Sequence, residues 1–413
     1  MTETRTEEFR RGWKILLTTC IGLGFGLSGM PFYAFSFFPP ALRQEFPDWS
    51  IGDMGLAVSA VTFMQFATGA IAGHFCDRHG VRKLLIPSAL LFAVATAAMT
   101  LIRGQVYTLW IGYVVMALAG MFTTSVAYSR VVVTWFDRSR GLALGITMAG
   151  SAIVAMILPK LLERVMTDFG GWRAGYFACA ALALLPLPLL LLFLRERPFG
   201  VGNRARPSYG LSVREAVRTR PFIIMVLAAA LYSPGIQSVV THLKTLVSSI
   251  GVAPTAIADT LSWMGVGILL GRFVAGLTLD AFRTRPVVAV LLFLVPAVSF
   301  FLFNNQMAEY AWLAVLLLGM SVGIEGDVFA YMTSRFFGMR CYAELFGWIF
   351  GVMCVMGAVG PFLVRGLEQW LGTIGQALHA ATLIYMFMFV ASAVMLGFVG
   401  KYPEWKIEKH EQH

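Results

Sequence analysis

The chain has 413 residues, of which 58% are hydrophobic and 13% are charged, and its formal net charge is +10. Soluble domains contain about 45–50% apolar and about 25% charged residues, so this composition excludes an ordinary soluble protein. The five cysteines lack paired metal-type spacing and mostly lie in apolar blocks, which indicates neither a disulfide framework nor a zinc site.

Uncharged apolar blocks predict membrane-spanning helices. Residues 84–102 and 286–304 contain no charge, and about 20 such residues cross a hydrocarbon core roughly 30 Å thick. We predict twelve spans, the first of them retained and not removed as a signal peptide. The predicted spans are residues 14–38, 52–73, 84–102, 106–129, 141–162, 172–194, 221–243, 256–280, 286–304, 310–334, 343–364 and 376–400.

Lysine and arginine are unevenly distributed between alternate connectors. With the N-terminus inside, 24 of the 32 lie on the side of the termini, seven lie on the opposite side, and Arg272 lies within a span. Because cytoplasmic connectors retain basic residues, both termini are predicted to be cytoplasmic. The excess positive charge therefore reflects topology, and its expected partner is anionic membrane lipid, not nucleic acid.

The longest polar connector divides the predicted spans into two sets of six. We predict an all-α membrane protein with two pseudo-symmetric six-helix bundles, residues 1–194 and 221–413, joined by a cytoplasmic linker at 195–220. Ser212 and Glu215 have the spacing of a capping box, which predicts a short helix within the linker. Parallel halves with a site between them are a recurrent plan among transporters.

The connector after span two carries the most specific motif of the chain. It consists of Gly73, Asp77, Arg78, Gly80, Arg82 and Lys83. Anchoring by positive charge alone would explain its basic residues but not the spacing of its glycines and aspartate. The motif resembles the signature loop of the major facilitator superfamily, which implies a gating role. A less complete copy after span eight keeps Gly276, Asp280, Arg283 and Arg285.

Further stretches resemble the branch of that superfamily that holds the monocarboxylate transporters and the oxalate/formate exchangers. They are WFDRSRGLALG (135–145), GWRAGY (171–176), HLKTLVSSIG (242–251) and GRFVAG (271–276). The resemblance implies that Arg272, with Gly276 four residues later, binds a substrate carboxylate. The exchangers carry a lysine in span eleven, whereas this chain has no cation in that span, which disfavours a dicarboxylate bound through two cations.

The position of Arg272 within a predicted span needs a physical explanation that does not depend on the family resemblance. An arginine in hydrocarbon costs from about 2.5 to more than 10 kcal/mol unless it faces protein or water. An inward-facing role is favoured, because Gly276 and Asp280 follow at four-residue steps and a guanidinium matches a carboxylate bidentately. The alternative is an arginine that snorkels to the headgroups, as we expect for Arg130 and Arg335.

Four other side chains are candidates for the substrate site. His242 ends span seven on the outer side and is a candidate substrate or proton ligand, with a hydrated interfacial histidine as the alternative. Tyr33, Tyr128 and Tyr331 are candidate cavity hydroxyls, although tyrosines also populate interfaces and helix contacts.

Glu325 and Asp327 are the only two carboxylates well inside a predicted span. A spacing of two residues places them about 200° apart on a helix, so both cannot line one cavity. We hypothesise that one of them pairs with Arg272 in the empty carrier, and that its protonation frees the arginine for the substrate anion. The alternatives are a structural ion pair, a neutral hydrogen-bonded acid, or a helix break that matters only for packing.

The sequence lacks the motifs of a phosphate-binding loop, a zinc protease and a serine hydrolase, so we predict no enzyme, no metal and no cofactor. We predict a monomeric secondary transporter of an aliphatic or aromatic monocarboxylate, acting by alternating access as a proton symporter in a bacterial inner membrane. One alternative is an exporter or exchanger of drugs or metabolites, although the Gly-Pro motif of such antiporters is not intact in span five. The other is a membrane sensor that does not transport, although the tails are short.

Overall fold

A computed structural model describes residues 5–35, 37–49, 51–195, 209–282 and 286–403. This part of the chain is organised as helices, including two short 3₁₀ helices at Met99–Leu101 and Ala308–Tyr310. The α-helices are α1 (Arg5–Gly24), α2 (Met30–Phe35), α3 (Phe38–Glu45), α4 (Ile51–His79), α5 (Val81–Ala98), α6 (Tyr107–Ala119), α7 (Ser125–Trp135), α8 (Arg140–Asp168), α9 (Gly171–Leu184), α10 (Pro186–Phe193), α11 (Val213–Ala216), α12 (Arg220–Ser249), α13 (Pro254–Ala281), α14 (Val287–Asn304), α15 (Ala311–Phe336), α16 (Tyr342–Leu371) and α17 (Ile374–Gly397).

Helices occupy all twelve predicted spans, with spans one, four and six each divided between two helices. Helices α4, α8, α12 and α16 continue several residues past the predicted ends. Within the described chain, nine helical segments are long and apolar enough to cross a membrane. The first, second and fourth predicted spans are not among these nine. Arg283, Arg285 and linker residues 196–208 lie outside the described residues.

The interruptions in spans one and four lie against each other. The backbone N–H of Leu27 donates to Thr123 Oγ1 over 3.1 Å, and the N–H of Ser125 donates to Ser28 Oγ over 3.3 Å. A Cβ atom on Gly26 would lie 2.4 Å from the carbonyl oxygen of Thr123, so only glycine permits this approach. Non-helical backbone at membrane depth persists only where protein or a cavity surrounds it, which matches this paired arrangement.

The chain forms two compact units. The first contains Met1–Gly210 and Gly338–Trp348, and the second contains Leu211–Phe337 and Ile349–Glu404. The first turns of α16 thus belong to the first unit, although they follow the second unit's helices in sequence. The predicted bundle boundaries at residues 194 and 221 stay a prediction.

In the first unit, an acid near the N-terminus holds the loop before α8. The carboxylate of Glu8 accepts the backbone N–H groups of Asp137, Arg138 and Ser139 over 3.0–3.1 Å. These groups precede the first turn of α8, where a helix lacks acceptors and attracts negative charge. The contact therefore fixes α1 to the start of α8.

A second contact in the first unit is an ion pair that joins α3 to α9. Glu45 accepts two hydrogen bonds from the Arg173 guanidinium, over 2.5 and 2.6 Å, and one from Trp172 Nε1 over 2.8 Å. The hydrogen bonds from Arg173 and then Trp172 lower the pKa of Glu45 below its ordinary value of 4.5. Stacked rings of Phe38 and Tyr176, 3.9 Å apart, fill the core beneath.

The second unit has an aromatic core between α12, α14 and α17. Tyr232 packs against Phe293 and Phe389, with ring centroids 4.2 and 5.1 Å away. The predicted capping box is confirmed, because Ser212 and Glu215 exchange side-chain and backbone hydrogen bonds at the start of α11.

Candidate functional site

Helices α13 and α15 approach each other backbone to backbone through glycines. A Cβ atom on Gly271 would lie 2.3 Å from the carbonyl oxygen of Met320, and one on Gly323 would lie 2.4 Å from that of Ile268. Any larger residue would push the helices apart. Gly267 and Gly319 repeat the pattern one turn away, giving each helix the small-xxx-small spacing of close membrane packing.

This close packing places Arg272 against Asp327. Arg272 Nη1 lies 3.1 Å from Asp327 Oδ1, and the two side chains are 11% and 1% exposed. The Cγ of Arg272 lies directly over Gly323, where a Cβ would be only 3.2 Å away. A buried charge is tolerated when it is paired, so each group supplies the partner that the other needs.

Glu325 has a different partner from Asp327. Its Oε1 forms a short hydrogen bond with the hydroxyl of Ser233 on α12. The same hydroxyl lies 3.0 Å from the carbonyl oxygen of Ala229. A serine hydroxyl has one proton to donate, so the two contacts either share that proton or include a proton donated by the Glu325 carboxyl. The two acids of α15 therefore belong to separate contacts.

The other predicted substrate residues are distributed over both units. In the first unit, Tyr128 is buried against Gly22 and half-buried Tyr33 packs on the apolar core. In the second, His242 Nδ1 lies 2.9 Å from the carbonyl oxygen of Ser238. Tyr331 is buried, with the Arg335 guanidinium 5.2 Å from its ring centre. Of the predicted substrate and proton residues, the structure pairs only Arg272 with Asp327 in the described chain, and the roles of the others stay predictions.

The motif after span two is organised around Asp77. Its Oδ1 lies 2.6 Å from Arg130 Nε, and its Oδ2 accepts the backbone N–H of Glu344 over 3.0 Å. Gly73 makes this possible, because a Cβ there would lie 2.2 Å from the carbonyl oxygen of Ala343. The acid thus binds both a cation and the first turn of α16 within the first unit.

The remaining motif residues have simpler environments. Gly80 has φ +86°, a left-handed conformation that favours glycine and ends α4. Arg82 donates to the carbonyl oxygen of Leu191 over 2.8 Å, while Arg78 and Lys83 are exposed. In the second copy, Gly276 and Asp280 are buried.

Sequence reasoning missed two partners in this motif. Arg130, expected to snorkel, is 9% exposed and paired with Asp77. Glu344 is not among the predicted site residues, yet its carboxylate also lies 2.8 Å from His74 Nδ1. The sequence contained one usable signal, since Asp77 and Arg130 carry opposite charges near predicted inner ends of spans. It contained no signal for the glycine contact with Ala343.

Comparison with known proteins decides the family. The family model described as Major Facilitator Superfamily matches residues 18–361. The chain belongs to this superfamily. It is therefore an integral membrane transporter with the twelve-helix fold, and not an enzyme, as the sequence predicts.

This chain is similar to individual transporters and to solved transporter structures. Monocarboxylate transporter 4 of Rattus norvegicus is 25% identical over 92% of this chain and 79% of that protein. The Agnestins efflux protein of Paecilomyces divaricatus is 26% identical over 60% of this chain, and the match covers 56% of that relative's length. A proton:xylose symporter structure has a TM-score of 0.73 at 16% identity, covering 95% of this chain and 96% of that one, and shows the fold alone.

Proposed function

We propose that the protein is a secondary transporter of a small organic anion with one carboxylate, which it moves by alternating access. The observation that carries this proposal is the buried pair of Arg272 and Asp327. The guanidinium is a planar fork of donors that fits a carboxylate, and here an internal carboxylate already occupies it. Helix α16 has no Lys or Arg before Arg365. This helix therefore places no second cation near its middle that could bind a second carboxylate. One cation matches one carboxylate.

Asp327 gives the arginine a proton-dependent partner. A substrate carboxylate and Asp327 compete for the same guanidinium, and two carboxylates on one cation leave an unbalanced negative charge. Proton binding to Asp327 removes this charge, so the arginine accepts the substrate while the site stays neutral. One proton then moves with each anion, which makes the transporter a symporter.

Glu325 is assigned a different role. Its carboxyl is bound to Ser233 on α12, and on its own helix it lies on a different face from Asp327. In the described residues no cation contacts it, so we propose that it is a neutral acid that ties α12 to α15 and is not the coupling residue.

A second candidate is export of a metabolite or drug, favoured by the fungal relative named as an efflux protein. The two candidates differ in the direction of proton movement relative to substrate. A symporter acidifies the compartment that receives the substrate, whereas a proton antiporter makes that compartment more alkaline.

The proposal also covers the orientation of the protein in the membrane, its oligomeric state and the membrane it occupies. We place both termini in the cytoplasm from the distribution of basic residues, and we propose a monomer. The relatives named above are fungal and mammalian, so they give no support to the predicted bacterial inner membrane.

The test begins with a thermal-shift screen of the purified protein against monocarboxylic and dicarboxylic acids. A ligand that binds the folded protein raises its stability by RT ln(1 + [L]/Kd). Counterflow of the radiolabelled acid in proteoliposomes then establishes transport. Stabilisation by dicarboxylates alone, or binding without counterflow, would refute the proposal.

A further inference from the structure

The interruption in span four leaves the start of α7 without a side-chain cap. Thr124 stands in the capping position with extended backbone, φ −101° and ψ 169°, but its side chain caps nothing. Its hydroxyl donates instead to the carbonyl oxygen of Met121 over 3.3 Å. The first N–H groups of a helix have no partner within the helix, so they need an acceptor from elsewhere.

Two of these N–H groups lack an acceptor. The N–H of Ser125 donates to Ser28, and the N–H of Tyr128 makes the first helical bond to Thr124. Within the part of the chain that the structure describes, the N–H groups of Val126 and Ala127 have no acceptor, and both residues are buried. A buried N–H without an acceptor is costly.

The hydroxyl of Ser125 adds a third donor at the same helix end. Ser125 is the first residue of α7 and is only 6% exposed. Its Oγ has no hydrogen-bond partner among the described residues. Three buried donors therefore lie at one helix start, and none of the residues that the structure describes offers them an acceptor there.

On the other side of the interruption, carbonyl oxygens at the C-terminal end of α6 already accept hydrogen bonds. The hydroxyls of Ser88, Thr123 and Thr124 donate to the carbonyl oxygens of Ala119, Gly120 and Met121, over 2.6, 2.8 and 3.3 Å. Hydroxyl groups thus cap the C-terminal end of α6, whereas the Thr124 side chain does not cap the N-terminal end of α7. Helix N-termini carry a partial positive charge and bind anions, so the imbalance favours an anion over a cation.

We propose that the N-terminus of α7 is an anion site that takes a carboxylate group. The two oxygens of a carboxylate are suited to accept from the Val126 and Ala127 N–H groups and from the Ser125 hydroxyl. Arg130, one turn further along α7, is paired with Asp77, so the helix end itself supplies the positive potential. The site lies in the first unit and does not depend on the role proposed for Arg272 in the second.

The test uses the full-length protein carrying Arg272→Gln and Asp327→Asn, which removes the other proposed carboxylate partner together with its acid. Sodium acetate replaces sodium chloride at constant ionic strength, and the midpoint of thermal unfolding is measured. We expect a saturable rise with acetate. Because asparagine is a stronger capping residue than threonine, Thr124→Asn should fill the site and weaken acetate binding about tenfold.

Two further variants make the result specific. Ser125→Ala removes the free hydroxyl and should weaken acetate binding without supplying a new acceptor. Thr373→Asn makes the same substitution at the start of α17, where Thr373 already accepts the N–H of Gln376 over 3.4 Å, and should leave the acetate response unchanged. Ser125→Ala also decides the question if Thr124→Asn does not fold.

Three outcomes would overturn the proposal. The first is no saturable response to acetate. The second is an equal acetate response in Ser125→Ala, Thr124→Asn and Thr373→Asn. The third is an equal response when chloride is raised against a larger anion that has no carboxyl group, such as isethionate, which would refute the carboxylate assignment. The second-unit site is tested by the additional acetate response that appears when Arg272 and Asp327 are intact, so the two proposals fail separately.

Discussion

Arg272 Nη1 lies 3.1 Å from Asp327 Oδ1, although 55 residues separate them in the sequence. The pairing depends on glycines, because α13 and α15 meet backbone to backbone at Gly271 and Gly323. The Arg272 side chain then reaches Asp327 on the neighbouring helix while both side chains stay buried or nearly so. The site is thus a product of helix packing as much as of its two charged residues.

The first prediction concerns the geometry of the Arg272 donors. Arg272→Lys retains the charge but loses the planar fork, so binding of the identified acid should weaken about tenfold or more. The measurement is a ligand titration by thermal shift. Lys244→Arg on α12 is the control and should bind normally. If Arg272→Ala bound and transported the acid as the unaltered protein does, the assignment would be wrong.

The second prediction separates the two acids of α15. Asp327→Asn should abolish the proton movement that accompanies substrate uptake, because the arginine no longer depends on a titrating partner. Glu325→Gln should preserve it, since an amide can still donate to Ser233. Substrate-driven pH change in proteoliposomes distinguishes the variants. Loss of coupling in Glu325→Gln alone would reverse the two roles.

The third prediction concerns the Asp77 contacts. Asp77→Asn removes the charge that pairs with Arg130 while keeping an oxygen for the Glu344 N–H. We expect slower transport with ligand affinity within about twofold of normal, because Asp77 contacts the start of α16 and not the Arg272 pair. Initial rates and thermal-shift titrations are compared with those of Asp168→Asn, an exposed acid at the end of α8. Lost equilibrium binding with a normal transport cycle would contradict a gating role.

The fourth prediction tests the glycine contact. Gly323→Ala places a Cβ 2.4 Å from the carbonyl oxygen of Ile268 and should destabilise the protein by about 1–3 kcal/mol. Gly326→Ala, on the same helix, meets nothing within 4 Å and should be neutral or slightly stabilising. Unfolding midpoints measure both. Equal effects would show that the close approach at Gly323 contributes nothing.

The fifth prediction concerns pH and Glu45. Hydrogen bonds from Arg173 and Trp172 lower the pKa of Glu45 below 4.5, so the folded state favours the carboxylate. Its contribution to stability is therefore present above pH 4.5 and is lost as the pH falls through the lowered value. Unfolding midpoints of the protein and of Glu45→Gln should differ at pH 6 and converge in acid. A constant difference would exclude the ion pair as its source.

Local sequence determined the membrane spans, because about 20 apolar residues in a row fit only a bilayer. It determined the family as well, since the Gly73 to Lys83 motif has a characteristic order of residue types. The capping box at Ser212 was predicted for a similar reason, as its two residues are three positions apart. Each of these features is encoded in neighbouring residues.

Only the tertiary structure decided which acid meets Arg272. Helical periodicity showed that Glu325 and Asp327 face different directions, but the choice between them depends on how α15 is rotated against α13. That rotation is set by interlocking glycines and carbonyl groups on both helices, whose contact the sequence alone does not specify. The same is true of Arg130 and of the open start of α7, because burial and missing hydrogen-bond partners arise only when distant segments pack together.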